Sequence, residues 1–368
     1  MKLLFLNALQ SYYAPIMTLF VFGAMILMDK LFTRRIKQLI LLEIGTILFM
    51  IAITWLDQCL MATPWGELDW KLKTATTFLS MAFAPIPPII LVLIYDTEEI
   101  RGLKGLFYLP VILNLLFCMI SIRSGWIFYI INPGLTGKGP LSLMPMLVSV
   151  FYLSTLIFFA AKQKDKPNRK EETVFLTAVL VIIIIAIVIE NLLHLNFIVW
   201  CVSTICVILY FLLLTTQKIL YDSMTGSYSR LAYERRLEKL NYRSFCTVAM
   251  IDLNNLKKLN DEFGHSSGDA AICKVTESIL KSKSRHMQIY RYGGDEFILL
   301  SNRLCEEEIR KVLKEALIRC EALNEISLSF AYGIAEYHMG DDIQKTILDA
   351  DEIMYRYKSR MRENKSTI

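Results

Sequence analysis

The chain has 368 residues, 54% of them hydrophobic, and a mean hydropathy of +0.43; it is too apolar for an ordinary soluble protein and too long for one module. A membrane part joined to a soluble part is the organisation this leaves. The net charge of +5 belongs mostly to the apolar half: 16 basic residues stand against 12 acidic before Gln217, and 24 against 23 from Gln217 onward. Such a surplus argues for orientation in a bilayer and against a nucleic-acid partner.

The opening MKLLFLNALQSYY has one Lys and no small-residue cleavage pattern, so it does not read as a removable signal peptide. A membrane span needs about 20 mostly apolar residues. Runs of that kind lie at residues 12–31, 39–56, 74–95, 106–122, 143–161, 174–193 and 197–216, which predicts an all-α bundle of about seven helices over residues 1–216. Three loops share one side and carry Lys30, Arg34, Arg35, Lys37, Arg101, Lys104, Lys162, Lys164, Lys166, Arg169 and Lys170. The other side has Lys2, Lys71, Lys73, Arg123 and Lys138. The positive-inside rule then puts the amino terminus outside and the soluble half in the cytoplasm of a bacterial-type inner membrane.

The outer loops carry Trp65, Trp70 and Trp126, which read as interfacial anchors ahead of a ligand cage. Glu43, Asn114, Glu190, Asn191 and His194 lie within or at the ends of the apolar runs and must point into the bundle. Pro85, Pro87 and Pro88 predict a break in the third span. Packing by interhelical hydrogen bonds is the first reading of these polar groups, and a sensory cavity for an unidentified signal the second. No internal repeat of the transporter kind is evident. The eight cysteines include no CxxC pair or zinc-spaced cluster and read as reduced, structural thiols.

The seventh run continues into TTQKILYDSMTG without a Pro or Gly before Gly226, so residues 217–221 read as a short helical linker to a soluble domain at 222–368. There the pattern predicts a helix over 229–240, a strand over 247–253, helices over 254–263 and 270–281, a hairpin of 289–292 with 297–300, a helix over 305–323, a strand over 326–335 and a helix over 343–361. This alternation predicts helices packed on an antiparallel or mixed sheet, an α+β domain. In the hairpin, Gly293 and Gly294 read as a tight turn using glycine's access to positive φ, lifting Asp295 and Glu296 on its tip. The strand TVAMIDL ends in Asp252. Two carboxylates at neighbouring strand ends suit Mg²⁺, a hard cation that takes protein oxygens together with nucleotide phosphates.

These residues resemble the diguanylate cyclase family, named for the GGDEF stretch that here occupies 293–297. Four further blocks stand in the family's order: DSMTGSYSR at 222–230, IDLNNLKKLNDEFGHSSGD at 251–269, FAYGIA at 330–335 and ADEIMYRYKSRMREN at 350–364. The resemblance covers the last two fifths of the chain. It implies a palm-like nucleotide-cyclase sheet and condensation of two GTP molecules into cyclic di-GMP with release of two pyrophosphates. It also implies a homodimer, since each domain holds one GTP, and two Mg²⁺ per active site, with Mn²⁺ able to replace them.

Carried onto this chain, the metal ligands fall on Asp252, the carbonyl of Leu253 and Asp295, which is also the proposed base. Glu296 either joins the metal set or supports the tip. Asn260 and Asp269 match the guanine-reading positions, and Lys257, Lys358 and Arg362 those that hold the triphosphate. Gly264, His265 and Gly268 read as the turn before the Asp269 helix, with His265 its cap. Departures from the family pattern are Asn254 for an aspartate, Ser227 and Ser229 for leucine and asparagine, and Met361 for glycine; the two serines are expected to loosen the join to the incoming helix. The inhibitory Arg-x-x-Asp positions are Ser284 and Met287, with Arg285 out of register, so no inhibitory site is expected. The competing reading is a catalytically silent nucleotide-binding scaffold.

Overall fold

A computed structural model describes the chain except residues 1, 61–66, 96–103, 133–134, 163–168, 194–197, 241–244, 323–327 and 367–368. Trp65, His194 and the orientation-setting cations Arg101, Lys164 and Lys166 lie outside the described residues, as do the side chains of Asn191 and Arg362. The chain divides into two compact units, Met1–Leu214 and Thr215–Ile368.

The first unit is helical: α1 (Lys2–Met28), α2 (Arg34–Leu60), α3 (Glu67–Phe83), α4 (Ile86–Tyr95), a 3-10 turn (Lys104–Tyr108), α5 (Leu109–Ser124), α6 (Met144–Lys162), α7 (Arg169–Leu193) and α8 (Ile198–Leu220), whose last turns reach into the second unit. Among the described residues, six helical segments are long and apolar enough to cross a membrane, and Tyr12–Met28 is a shorter apolar one. Together they account for the seven runs read from the sequence. Between α5 and α6 the chain adds a feature that an all-α reading lacks, an antiparallel pair β1 (Phe128–Asn132) and β2 (Leu135–Lys138). The Ser121 hydroxyl ties it to α5, accepting the N–H groups of Ile127 and Phe128 at 2.9 Å.

The predicted break falls between α3 and α4, at Ala84 and Pro85. Proline has no N–H to give the carbonyl four residues back, which for Pro85 is Met81. The buried Asn114 amide of α5 supplies that donor instead, at 3.2 Å from the Met81 oxygen and 3.4 Å from that of Ala82. Lys73, read from the sequence as a loop cation, lies in α3 with a fully buried side chain and donates to Asp57 of α2 at 2.7 Å. Thr76 donates to the other oxygen of Asp57, also at 2.7 Å.

The second unit is an antiparallel sheet in the order β4-β5-β3-β6, formed by β3 (Phe245–Leu253), β4 (Met287–Arg291), β5 (Glu296–Ser301) and β6 (Phe330–His338). Both faces are covered. Ala249, Ile251 and Leu253 point toward α11 (His265–Ser282) and α12 (Glu306–Ala322). Val248 and Met250, on the opposite face, meet α9 (Arg230–Leu240) and α13 (Ile343–Ser366). Period-two alternation with both faces buried is why this strand reads as one continuous apolar run. α13 lies directly on β6: a Cβ at Gly333 would stand 2.1 Å from the Ala350 oxygen and 2.3 Å from the Met354 nitrogen. Only glycine allows that approach, and it places the carboxyl-terminal turns of α13 beside the end of β3.

Candidate active site

The site forms where β3, the β4–β5 turn and α13 meet. Asp252 pairs across the ladder with Glu296, and the Leu253 amide donates to the Asp295 carbonyl at 3.2 Å. The turn is closed by the Tyr292 and Gly293 amides, which donate to the Glu296 carbonyl at 2.9 and 3.2 Å.

Neither Gly293 nor Gly294 takes positive φ, which corrects the reason given for the pair. A Cβ at 293 would lie 2.9 Å from a Glu296 carboxylate oxygen, the mobile end of that side chain, so a larger residue there would shift the carboxylate. At Gly294 the space is open.

Charge is concentrated at this edge. Burial raises the Glu296 carboxyl above the usual carboxylate range, the Asp252, Asp295 and Asp351 carboxylates push it further up, and the Lys358 ammonium opposes them. Lys358, from α13, forms an ion pair with Asp252. A cation is therefore already drawn to the carboxylate read as a metal ligand. The donor set implied for Mg²⁺, two carboxylates and a backbone carbonyl, is of hard oxygens and leaves positions for phosphate, so it fits the ion. Among the described residues no group of three His, Cys, Asp or Glu side chains is arranged to hold a metal by itself.

The two positions matched to guanine reading, Asn260 and Asp269, lie on α10 (Leu256–Phe263) and near the start of α11. Gly268 packs so closely on Asn260 that a Cβ there would stand 1.9 Å from Asn260 Oδ1. That oxygen is buried and has no hydrogen-bond partner among the described residues. Asp269 follows Gly268 and is exposed.

α11 begins at His265, so Gly268 and Asp269 sit inside the helix and not in a turn before it. The cap position is Gly264, with no capping side chain, and His265 is an exposed first residue, not a cap. Lys257 is exposed on α10. Asn254 donates to the Ser329 hydroxyl at 3.1 Å and to the Met361 sulfur at 3.6 Å, away from the carboxylates.

Arg291 escaped the sequence reading. Its guanidinium donates to the Gly294 carbonyl at 2.8 and 3.3 Å and to Asp222 at 3.1 Å. It thereby ties the first sequence block to the tip of the turn; a charged residue inside an apolar strand two residues before the glycines was the signal. Asp222 also accepts from the Thr225 amide and hydroxyl at 2.9 and 2.7 Å.

The serine departures both form hydrogen bonds at the join, Ser227 with Thr225 at 2.8 Å. Ser229 Oγ donates to the Ile219 carbonyl at 2.7 Å and accepts the Ala232 amide at 3.2 Å, capping α9. Of the inhibitory-site positions, Met287 is buried in the sheet core, Ser284 accepts in the turn before β4, and the exposed Arg285 donates to the neighbouring His286 ring.

Residues 219–364 match the family described as diguanylate cyclase, GGDEF domain, and the second unit is a GGDEF domain of the α+β cyclase fold. The diguanylate cyclase DosC of Escherichia coli K12 is 31% identical over 123 residues, which are 32% of this chain and 27% of DosC. VdcA of Vibrio cholerae, also a diguanylate cyclase, is 27% identical over 150 residues, 38% of this chain and 44% of VdcA. The chain thus spans less than half the length of these curated relatives. Among solved structures, the coiled coil and GGDEF domain of DgcB from Caulobacter crescentus, in complex with c-di-GMP, aligns with 22% identity and a TM-score of 0.39 over 41% of this chain and 87% of that one.

Proposed function

We propose that this chain is a membrane-attached diguanylate cyclase, condensing two GTP into cyclic di-GMP and two pyrophosphates under the control of its helical unit. The observation that carries the reading is the meeting of Asp252, Leu253 and Asp295 at adjacent strand ends, with a buried Asn260 oxygen in the same unit that lacks a donor among the described residues. Guanine offers N–H donors to that oxygen and to the Asp269 carboxylate, and its O6 accepts from the Asn260 amide. Lys257, Lys358 and Arg362 hold the triphosphate, the lysines as point charges and the arginine as a fork for two oxygens.

Mg²⁺ held by Asp252, the Leu253 carbonyl and Asp295, with Glu296 beside them, supplies charge neutralisation on the phosphates when bound. Asp295 takes the proton of the 3′-hydroxyl. The freed oxygen attacks the α-phosphorus of a second GTP held by the partner domain, and pyrophosphate departs with the electron pair of the bond that breaks. Repetition in the opposite sense closes the ring, so a two-fold homodimer is required. The amino terminus lies outside and the GGDEF domain in the cytoplasm, where GTP is available, by the distribution of basic loops. With Met287 buried and Ser284 in place of arginine, product does not inhibit through the usual site.

The test is product analysis of the full chain in lipid nanodiscs with GTP and Mg²⁺. Cyclic di-GMP and pyrophosphate in a ratio of one to two, absent in Asp295→Ala, are expected. Nucleotide binding without any product would replace this reading with the silent scaffold.

A further inference from the structure

Within Met1–Leu214, helices α2, α3, α4, α6, α7 and α8 enclose a cavity of about 350 Å³, the size of small-molecule sites. Leu91, Leu153, Val179 and Val207 give it an apolar wall. Two carboxylates, Glu43 of α2 and Glu190 of α7, line it, and among the described residues no Lys, Arg or His does. One Glu190 oxygen accepts the Val199 amide at 2.9 Å. Glu43 differs, for it is 1% exposed and its Oε2 has no hydrogen-bond partner among the described residues. A carboxyl oxygen closed into an apolar space without a donor is disfavoured until a donor reaches it. Ser80, Met81 and Pro87 also line the cavity, so its wall includes the break between α3 and α4, where the backbone is not held by a continuous helix ladder.

We propose that this cavity binds an elongated apolar molecule whose single polar end, a hydroxyl or amine, donates a hydrogen bond to Glu43. An ionised carboxylate or phosphate head has no hydrogen to donate to Glu43 Oε2, so carboxylate and phosphate amphiphiles do not fit. The inference is independent of whether the second unit is a cyclase, because it is read from binding alone.

Trp200 lines the cavity and serves as reporter, since bromine quenches tryptophan fluorescence at short range. The full-length protein in phosphatidylcholine nanodiscs is titrated with 10-bromodecan-1-ol, 10-bromodecylamine, 10-bromodecanoic acid and 1-bromodecane. Saturable quenching by the alcohol and amine is expected, with only the linear quenching of lipid partitioning by the acid and the bromoalkane. The saturable part disappears in Trp200→Phe. Its affinity falls on the order of tenfold in Glu43→Leu, the loss of one hydrogen bond, and is retained in Glu43→Gln, whose amide oxygen still accepts. Val179→Phe, which fills the cavity without touching Glu43, removes it. Equal behaviour of alcohol and bromoalkane, saturable binding of the acid, or binding unchanged in both Glu43→Leu and Val179→Phe overturns the proposal.

Discussion

The two units handle buried charge in opposite ways. In Met1–Leu214 charge is enclosed between helices at two places: Lys73 is fully buried against Asp57, while Glu43 keeps an oxygen with no hydrogen-bond partner among the described residues. In Thr215–Ile368 the acids gather at half-buried strand ends, where burial and mutual repulsion raise Glu296 and Lys358 answers Asp252. In the first setting burial shuts the charge away from solvent, so losing a partner is felt as packing stability. In the second, repulsion is retained at an accessible edge, the arrangement expected where a cation and phosphates are to be drawn in.

The largest expected effect lies at that edge. Asp295→Ala should lower cyclic di-GMP formation by about 10³-fold or more, the combined loss of a base and a metal ligand. Thermal unfolding of the second unit should stay as it is or improve, because the change removes like charge near Glu296. A variant that loses stability in step with activity would mean the acid cluster is structural, and the contrast with the first unit would fail.

The contrast is tested from the other side at Lys73. Lys73→Met leaves Asp57 without its cation, and breaking such a pair costs about 3–5 kcal/mol; the lower end applies because Asp57 is 25% exposed. Unfolding in mixed micelles should shift accordingly, and Lys73→Met with Asp57→Leu should recover most of the loss. A single variant as stable as the parent would show that the pair is not needed for packing.

A smaller effect is expected at Gly268. A Cβ 1.9 Å from Asn260 Oδ1 must displace that amide, so Gly268→Ala should raise the KM for GTP about tenfold, the equivalent of one hydrogen bond, with kcat little changed. Helix propensity alone would make the same substitution stabilising. An unchanged KM with raised stability would therefore remove Asn260 from the base-reading role.

How much was legible follows the same division. The second unit was readable because its chemistry sits in contiguous blocks, and strands buried on both faces leave unmistakable apolar runs. What misled there was glycine: Gly268 looked like a turn and is a close contact inside a helix, and Gly293, read as a positive-φ turn residue, takes no positive φ and lies against the Glu296 carboxylate. In the first unit the spans and the proline break were plain from composition. The partners were not, since Asn114 answers a carbonyl released by Pro85, and Lys73 finds Asp57, across separations that no local period encodes. The β1–β2 pair was missed because the stretch between the fourth and fifth apolar runs was read as an outer loop, and two strands of four or five residues leave no period long enough to stand out.

The smallest expected effect concerns Asp222, which joins the first block to the turn through Arg291. Burial alone would raise its carboxyl, but the Thr225 hydroxyl and amide and the Arg291 guanidinium outweigh burial and hold it below the usual range. A carboxyl lowered in the folded state contributes stability that is present above the unfolded value, about 3.9, and is lost as pH falls through the folded value. Asp222→Asn has no such titration. The stability difference between parent and variant should thus be constant near neutrality and shrink below about pH 4, as read by urea unfolding of the second unit's tyrosine signal. Thr225→Val, which removes one of the hydrogen bonds, should give part of the same loss. A difference that persists undiminished to pH 3 would mean that Arg291 holds the Gly294 carbonyl without help from Asp222, and that the turn is positioned by the sheet alone.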